Sequence, residues 1–304
     1  MELRLLRDFL AVVESGSVGT AARSLGLSQP ALSKAIHALE ARVGAPLFER
    51  TMTGATPTLI GRALEPHARE ILNGVRRAEG EIAELLGLRR GRVAVISGAF
   101  YAELLYPKVL RRFHAAHPQV EVVLAISQGE GVLGAVRANE AEVAFTLLDY
   151  ARDDDVFATQ TMVPDQRVIV VSGADHPLAR RRRVTPREAW DCPWLLPRHN
   201  GIFRTRLAAR FQRFGLPLPA PASIGASTEI QKHILQGGGY LAVLPELAVR
   251  EELAAGTLRA IPVPALGWSY AAGAFYRKSV PLSPAARHLI EIARGVCREM
   301  AQPL

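Results

Sequence analysis

The sequence predicts an α/β protein that opens with an all-α domain. Residues 3–43 carry three short amphipathic helical patterns, and residues 58–86 carry an apolar repeat of seven residues. Beyond Arg92, short β-branched runs alternate with helical stretches, which is typical of a mostly parallel sheet covered by helices. At roughly 100–200 residues per domain, a chain of 304 residues holds two or three compact units.

The composition excludes several classes of protein. With 49% hydrophobic and 22% charged residues, the chain is neither disordered nor a fibrous repeat. No apolar run reaches the roughly 18 residues of a membrane span, and the charged first residues do not fit a signal peptide. Two cysteines, Cys192 and Cys297, do not make a secreted disulfide framework. We therefore expect a soluble, cytoplasmic protein without a membrane partner.

The first 43 residues predict a helix-turn-helix. The apolar stripe of the first helix is Leu3, Leu6, Phe9, Leu10 and Val13. Asp8 lies on the opposite face, and Gly16 ends the helix because glycine readily adopts the left-handed conformation. A short helix of small residues follows at 20–25, and Ser28 is a suitable N-cap for a third helix over about 29–42.

The third helix has a polar outer face. Its inward positions are Leu32, Ile36, Leu39 and Val43, and its outward positions are Pro30, Ser33, Lys34, His37 and Ala41. Small hydrogen-bonding side chains around one cation suit base edges and phosphates in a major groove. The net charge of +8 is compatible with such a partner but does not locate it. On spacing alone, an ordinary amphipathic helix pair remains the alternative.

The residues of this segment strongly resemble the LysR-type transcriptional regulators. The similar stretches are Phe9–Ser17, Ala21–Leu25, Ser28–Ser33, Ile36, Leu39-Glu40, Val43-Gly44, Pro46–Arg50, Pro57-Thr58 and Gly61. The resemblance implies a winged helix-turn-helix that binds double-stranded promoter DNA. The contacts that it implies are Gln29, Pro30, Ser33, Lys34 and His37, with Arg50 on the wing. Thr53 stands where the family often has arginine, so Arg50 should carry more of the phosphate contact; for His37, plain solvation is the alternative.

The apolar repeat that follows predicts a helix with a seam. The seam residues, spaced alternately four and three apart, are Leu64, Ala68, Ile71, Val75, Ala78, Ile82 and Leu85. Such a seam could pair with a second copy or dock on its own domain. The resemblance favours pairing and implies a dimer or a dimer of dimers. Pro66 should kink the helix, and Gly74 and Gly80 should weaken it.

Beyond the linker, the resemblance implies an effector domain of two α/β subdomains, similar to type 2 periplasmic-binding proteins. The expected strands are 93–96, 120–126, 142–146, 167–172, 194–196, 222–224, 241–243 and 269–276. The expected helices are 101–116, 130–139, 203–214, 227–236, 246–254 and 284–300. The predicted domains are 1–58 (winged head), 59–88 (linker helix) and 89–304 (effector domain). Subdomain I is 91–161 with 268–304, subdomain II is 162–267, and the crossovers fall near 161–166 and 262–268.

A small-molecule site is expected where strands end. In open α/β sheets, ligands bind beyond the carboxyl ends of the strands, where helix N-termini offer free N–H groups to anions. By resemblance, the polar contacts are Ser97, Gln128, Asn200 and Thr228, and the apolar walls are Phe100, Ile202 and Phe203. Each polar residue could instead cap a helix. An organic anion is the expected class of effector, but Gln128 replaces the Ser or Thr common in the family, so its identity stays open.

Catalytic and metal-binding patterns are absent from the sequence. It contains no Gly-x-Ser-x-Gly, His-Glu-x-x-His or Walker-type loop, so we expect neither an enzyme nor a cofactor or metal. His114 and His117 lack further ligands, and solvation is favoured for both. We expect Cys192 and Cys297 to be two buried structural thiols, and a redox sensor formed by this pair is the alternative. For the protein as a whole, a solute-binding module without a regulatory role is the alternative function. RNA polymerase is a further candidate partner, and target genes and the direction of regulation stay undetermined.

Overall fold

The computed structural model describes residues 2–51, 54–85, 90–151, 154–197, 201–225 and 227–301. The helices are α1 (Leu3–Ser15), α2 (Val18–Ser24), α3 (Gln29–Val43), α4 (Leu59–Leu85), α5 (Ala99–Leu104), α6 (Tyr106–Ala116), α7 (Glu130–Arg137), α8 (Pro186–Trp190), α9 (Ile202–Gln212), α10 (Thr228–Gln236), α11 (Arg250–Ala255) and α12 (Pro284–Ala301). The strands are β1 (Phe48–Thr51), β2 (Gly54–Pro57), β3 (Arg90–Ser97), β4 (Gln119–Ile126), β5 (Val143–Leu147), β6 (Phe157–Gly173), β7 (Trp194–Leu196), β8 (Pro221–Ile224), β9 (Leu241–Pro245), β10 (Leu258–Ala260) and β11 (Trp268–Arg277).

The head consists of α1 to α3 and the β1–β2 hairpin. Its helices pack around one apolar cluster in which Phe9, Leu32 and Leu39 are fully buried. The side chains of Ser17 and Ser28 accept hydrogen bonds from the first turns of α2 and α3, as N-caps do. The antiparallel pairing of β1 with β2 forms the wing after α3. The predicted winged helix-turn-helix is therefore confirmed.

Two side chains of α1 differ from the predicted pattern. Leu3, expected on the apolar stripe, is 44% exposed, and Asp8, expected on the outer face, is buried. The cause is that α1 packs against α2, α3, α4 and β2 together, so the middle of the helix is covered on more than one face. The Asp8 carboxylate accepts a hydrogen bond of 3.2 Å from the guanidinium group of Arg7.

The linker helix α4 is a single helix that continues through Pro66. The predicted seam divides along it. Ala68 is fully buried in the cluster of the head, with Leu64 packed beside it, whereas Ile71 and Ile82 are 42% and 57% exposed. Docking on its own domain therefore applies to the first half of the seam, and the second half presents its apolar side chains to solvent. The side chain of Leu85 lies outside the described residues.

The effector domain is built on one sheet of nine strands. The order is β4-β3-β5-β11-β6-β9-β7-β8, with β10 beside β6. The strands β4, β3 and β5 are mutually parallel, as are β9, β7 and β8, and the antiparallel strands β6 and β11 lie between these two blocks. We call β3–β5 with α5–α7 and α12 the first lobe, and β7–β10 with α8–α11 the second lobe. Each lobe has its own apolar cluster.

The crossover expected at 161–166 is part of a continuous strand. β6 runs for 17 residues and pairs with β11 along most of its length before it pairs with β9. Between the pairs Val163–Ala272 and Gln166–Tyr270, β6 holds two residues, Pro164 and Asp165, opposite one residue of β11. This is a β-bulge, where proline is tolerated because no ladder hydrogen bond is required of it.

Other predicted elements need smaller corrections. The single helix expected at 101–116 is two helices, α5 and α6, because Pro107 fits only in the first turn of a new helix. The helix expected at 246–254 begins as a short 3-10 turn at Glu246–Val249 and continues as α11. The sequence did not reveal α8 or β10. Among the helices of the described ranges, none is long and apolar enough to cross a membrane.

Gly61 and Gly80 offer a test of the packing of α4 against the head. A Cβ atom on Gly61 would lie 2.3 Å from the backbone oxygen of Leu47, whereas one on Gly80 would meet nothing within 4 Å. We expect Gly61→Ala to lower the free energy of unfolding by about 1–3 kcal/mol. Gly80→Ala should raise it by about 0.5–1 kcal/mol, because alanine favours the helix. Chemical denaturation of the full chain measures both, and equal effects would contradict this packing.

Candidate DNA interface and effector cleft

The polar face of α3 is exposed to solvent. Gln29, Pro30, Lys34 and His37 are exposed, and Ser33 is half-buried. The opposite face anchors the helix through side chains buried in the core of the head. The predicted contact residues therefore share one outward surface on a rigid support. Which of them touch DNA stays a prediction.

His37 has a partner within its own helix. Its ring nitrogen Nδ1 lies 3.1 Å from Glu40 Oε2, and the ring is 63% exposed. The other carboxylate oxygen of Glu40 accepts a 2.8 Å hydrogen bond from the backbone N–H of Leu47. Glu40 thus links the exposed polar side of α3 to the segment that leads into the wing. The spacing of three residues between His37 and Glu40 could have indicated this contact from the sequence.

The wing holds the backbone of Arg50 in place. Arg50 pairs with Ala55 across the hairpin, and Glu49 pairs with Thr56. The side chain of Arg50 and the whole of residue Thr53 lie outside the described residues. The predicted phosphate contact of Arg50 is therefore carried forward as a prediction.

Arg69 joins the head, the linker helix and the effector domain. Its guanidinium group lies 2.8 Å from Glu14 of α1, 2.9 Å from Glu65 of α4 and 3.4 Å from Glu140, which follows α7. The side chain is only 12% exposed. Burial lowers the pKa of Arg69, but the bonds to Glu65 and Glu14 outweigh it and raise the pKa above its ordinary value. The group therefore stays charged and holds three segments together.

A cavity of about 1320 Å³ lies between the head, α4 and the first lobe. Arg69, Arg76, Arg92 and Arg277 are among its lining residues. A much smaller space of about 10 Å³ lies inside the first lobe beside Ser97, Tyr101 and Phe145. That is room for a single water at most.

The expected effector residues lie at the carboxyl ends of the two parallel blocks. Ser97 ends β3 and is buried, and its hydroxyl donates a 2.9 Å hydrogen bond to the backbone oxygen of Phe145. Gln128 follows β4 and is exposed. Ile202 and Thr228 are the first residues of α9 and α10, and both are half-buried. Asn200 lies outside the described residues.

Two aromatic residues of the expected site pack against the same apolar cluster. Phe100 and Phe203 both pack against the cluster of the second lobe. The ring of Phe100 meets that of Tyr101 edge-on at 4.7 Å, and the ring of Phe203 lies 5.4 Å from that of Tyr270. The hydroxyls of Tyr101 and Tyr270 are 3.0 Å apart and buried, and burial raises the pKa of both phenols. Since Tyr101 belongs to α5 and Tyr270 to β11, this pair joins the first lobe to the central strands. No pattern in the sequence indicates this pair.

Charged side chains also meet across the cleft. Asp149, in a short 3-10 turn after β5, forms a 3.0 Å ion pair with Arg206 of α9. On another side of the cleft, Glu103 of α5 lies near Glu229 of α10. Burial and the charge of Glu229 raise the pKa of Glu103, and Lys232 opposes that rise. One attractive and one repulsive contact therefore act between the lobes.

The thiols are not arranged as a redox pair. Cys297 is buried in the cluster of the first lobe, and burial raises its pKa to about 11. Cys192 packs in the cluster of the second lobe and is half-buried rather than buried, with its pKa raised by burial and by Asp191. Thiolates, the reactive forms, are therefore scarce near neutral pH at both positions.

The two histidines expected to be solvated have protein partners. A ring nitrogen of His114 lies 3.1 Å from the backbone oxygen of Val120, and His117 shares a 2.6 Å hydrogen bond with His288. His117 also stacks on Phe113. Within the described residues, no three metal-ligating side chains come together.

Both parts of the chain match models of known protein families. The family model of bacterial regulatory helix-turn-helix proteins of the lysR family matches residues 3–62, and that of the LysR substrate binding domain matches residues 87–298. This pairing of domains defines a DNA-binding transcriptional regulator with an effector-binding domain, not an enzyme. The chain belongs to the LysR family of transcriptional regulators.

Individual relatives cover nearly the whole chain. The HTH-type transcriptional regulator GalR of Pseudomonas putida is 30% identical over 303 residues, which is 99% of this chain and 75% of that protein. Among solved structures, ArgP from Mycobacterium tuberculosis has a TM-score of 0.72 at 19% identity and covers 96% of both chains. Full-length CbnR in complex with its target DNA has a TM-score of 0.64 at 20% identity, with 97% of this chain and 100% of that chain covered. These structures share the fold.

Proposed function

We propose that this regulator binds an interrupted inverted repeat in promoter DNA as a homo-oligomer, a dimer or a dimer of dimers. A small organic anion binds between the two lobes and alters the spacing of the heads on DNA. The functional units are residues 1–58, 59–88 and 89–304, with subdomains at 91–161 plus 268–304 and at 162–267. RNA polymerase is the further candidate partner once the protein is on the promoter.

The exposed polar face of α3 is the observation that carries the DNA proposal. The proposed contacts are Gln29, Pro30, Ser33, Lys34 and His37, with Arg50 on the wing. The outer face of α3 thus presents hydrogen-bonding side chains and one amine, whereas the large apolar side chains of the same helix are buried. Such a face can enter a major groove without steric obstruction. The related CbnR was solved on its target DNA with the same fold.

The second half of the α4 seam supports the oligomer. Ile71 and Ile82 are exposed large apolar side chains on one helix, and Ala78 between them is exposed as well. Another face of α4 contacts the effector domain, through Arg69 to Glu140 and through Asn73 to the backbone oxygen of Asn139. A second copy of α4 would cover the free apolar side chains, and two heads would then reach two half-sites.

The charge of α9 supports an anionic effector. This helix begins at the expected site and contains three arginines, Arg204, Arg206 and Arg210, but no acidic residue. We infer that the effector contacts are Ser97, Gln128, Asn200 and Thr228, with Phe100, Ile202 and Phe203 as walls. Ser97 already donates its hydroxyl proton to Phe145, so it would accept a hydrogen bond from an effector or exchange partners when one binds.

Replacing Lys34 or Ser33 with alanine should weaken binding to DNA selected from a random library by the wild-type protein. Loss of a base contact by Ser33→Ala costs about 1–3 kcal/mol, and Lys34→Ala should lower the slope of log K against log salt by about 1. Fluorescence anisotropy at several salt concentrations measures both. Lys108→Ala, which removes an exposed lysine of the effector domain, is the matched control. Wild-type binding by both head variants would exclude α3 from the interface.

Replacing Ile71 and Ile82 with aspartate should separate the paired linker helices. A charge buried in an apolar seam is costly, so the molar mass in light scattering should fall to half or less of the wild-type value. As a control, Val156→Asp introduces one such charge at an exposed apolar position outside α4 and should leave the molar mass unchanged. An unaltered mass in the double variant would show that the oligomer forms elsewhere.

An effector should raise the melting temperature in a saturable manner. At about 100 times its dissociation constant, a ligand stabilises the folded state by about 2.7 kcal/mol. A panel of aromatic and aliphatic acids with their neutral amides tests this, and Gln128→Ala and Thr228→Val should reduce the shift. Gln212→Ala, an exposed change on α9, is the control. The absence of any saturable shift across the panel would contradict a small-molecule cleft.

A further inference from the structure

The ion pair between Asp149 and Arg206 is a contact that the sequence did not suggest. Asp149 lies two residues beyond the end of β5, at the carboxyl edge of the first parallel block. Arg206 lies one turn after Ile202 on α9, so both side chains are on the same side of that helix. The pair therefore spans the two lobes next to the expected apolar walls of the site.

The pairing of these two groups is incomplete. One bond of 3.0 Å joins Arg206 Nη2 to Asp149 Oδ1. Asp149 Oδ2 and Arg206 Nη1 are buried and have no hydrogen-bond partner in the described part of the chain. A guanidinium group can hold a carboxylate with two parallel bonds, and a buried polar atom without a partner is costly. The internal contact thus uses only part of what Arg206 can offer.

Arg206 differs from the other arginines of α9. Arg204 donates to the backbone oxygen of Pro197, and Arg210 donates to that of Gly267 while it lies over the ring of Trp268. Both partners belong to the same side of the cleft as the helix. Arg206 instead reaches a carboxylate on the opposite lobe, and its side chain is 25% exposed. Part of the Arg206 side chain is therefore open to solvent, although its Nη1 atom is buried.

We propose that Arg206 is the anchor for the anionic group of the effector and that Asp149 is an internal carboxylate that occupies this anchor while the cleft is empty. The inference rests on the proposed function, in which an organic anion binds between the lobes. An arriving carboxylate takes the place of Asp149 and engages both Nη atoms of Arg206. Asp149, 19% exposed, turns to solvent. In the empty state the Asp149–Arg206 ion pair joins the two lobes, and in the occupied state the bound effector takes over the contact with Arg206.

The test compares carboxylate binding in the full-length wild type, Asp149→Asn, Arg206→Gln and Arg206→Lys. The probes are benzoate, succinate and citrate, with benzamide and succinamide as neutral counterparts, titrated by calorimetry. Asp191→Asn is the control, because it removes the acid of an exposed ion pair within α8 and its C-cap, away from the cleft. Asp149→Ser is a second variant in case the asparagine disturbs the turn, and the melting temperature without ligand shows that each variant is folded.

If Arg206 is the anchor, removal of its internal competitor strengthens binding. We expect Asp149→Asn and Asp149→Ser to bind the best carboxylate about tenfold more tightly than the wild type. This factor applies if Arg206 is released from Asp149 in about a tenth of the wild-type molecules and in nearly all molecules of the variants. Arg206→Gln should weaken binding by about thirtyfold or more, since a desolvated charge contact is lost. Arg206→Lys should recover only part of it, because lysine lacks the planar fork. Asp191→Asn should match the wild type.

Three results would overturn the anchor. Unchanged carboxylate affinity in Arg206→Gln, or weaker affinity in both Asp149 variants, would make the pair a structural contact only. Binding of the neutral amides without the acids would remove the anion anchor but leave a small-molecule cleft. Failure of every probe, charged or neutral, with the wild type and both Asp149 variants would contradict the anchor and the proposed cleft together.

Discussion

The pairing of β6 with β11 is the constraint on which the effector domain depends. These antiparallel strands separate two parallel blocks and hydrogen-bond to both, so the blocks share one sheet. The contact is close at Gly273, where a Cβ atom would lie 2.0 Å from the backbone oxygen of Gln160. Both strands are continuous between the lobes, and their pairing is interrupted by a bulge at Pro164–Asp165 and by a second register shift at Met162. The carboxyl ends of the two blocks thereby face a common cleft.

The head is coupled to this domain by few but charged contacts. Arg69 binds carboxylates of the head, the linker helix and the effector domain at once, and Arg277 of β11 reaches Glu70 on α4. A change at the cleft that shifts β11 or the end of α7 therefore alters groups that touch the linker helix. Such coupling is reciprocal, because a ligand that changes the affinity for DNA must have its own affinity changed by DNA.

Local patterns allowed the head to be predicted almost completely from the sequence. The caps at Ser17 and Ser28 and the inward spacing of Leu32 and Leu39 depend on neighbours within one helix or turn. Asp8 was misplaced because its burial depends on α4 and β2, which lie far along the chain. The sequence predicts α4 and its apolar seam as a local pattern. Which seam residues pack on the head and which face solvent depends on tertiary packing.

The cleft was predictable in outline and not in its contacts. Strand ends located Ser97, Phe100 and Phe203, whereas the pairs Asp149–Arg206 and Tyr101–Tyr270 join residues 57 and 169 positions apart. The periodic patterns of helices and strands do not indicate contacts between residues so far apart in the chain. The continuity of β6 was missed for a physical reason, since Pro164 and Asp165 read as a connection and are tolerated in a strand only at a bulge.

The most direct test of this account is whether the cleft and the DNA-binding head are linked. The best organic acid from the panel should be titrated into the full-length protein with and without saturating selected DNA. The account predicts two different dissociation constants, and their ratio should equal the ratio by which saturating acid changes the affinity for DNA. Identical acid affinities in the two titrations would contradict it, because the cleft would then bind its ligand without any effect on the head.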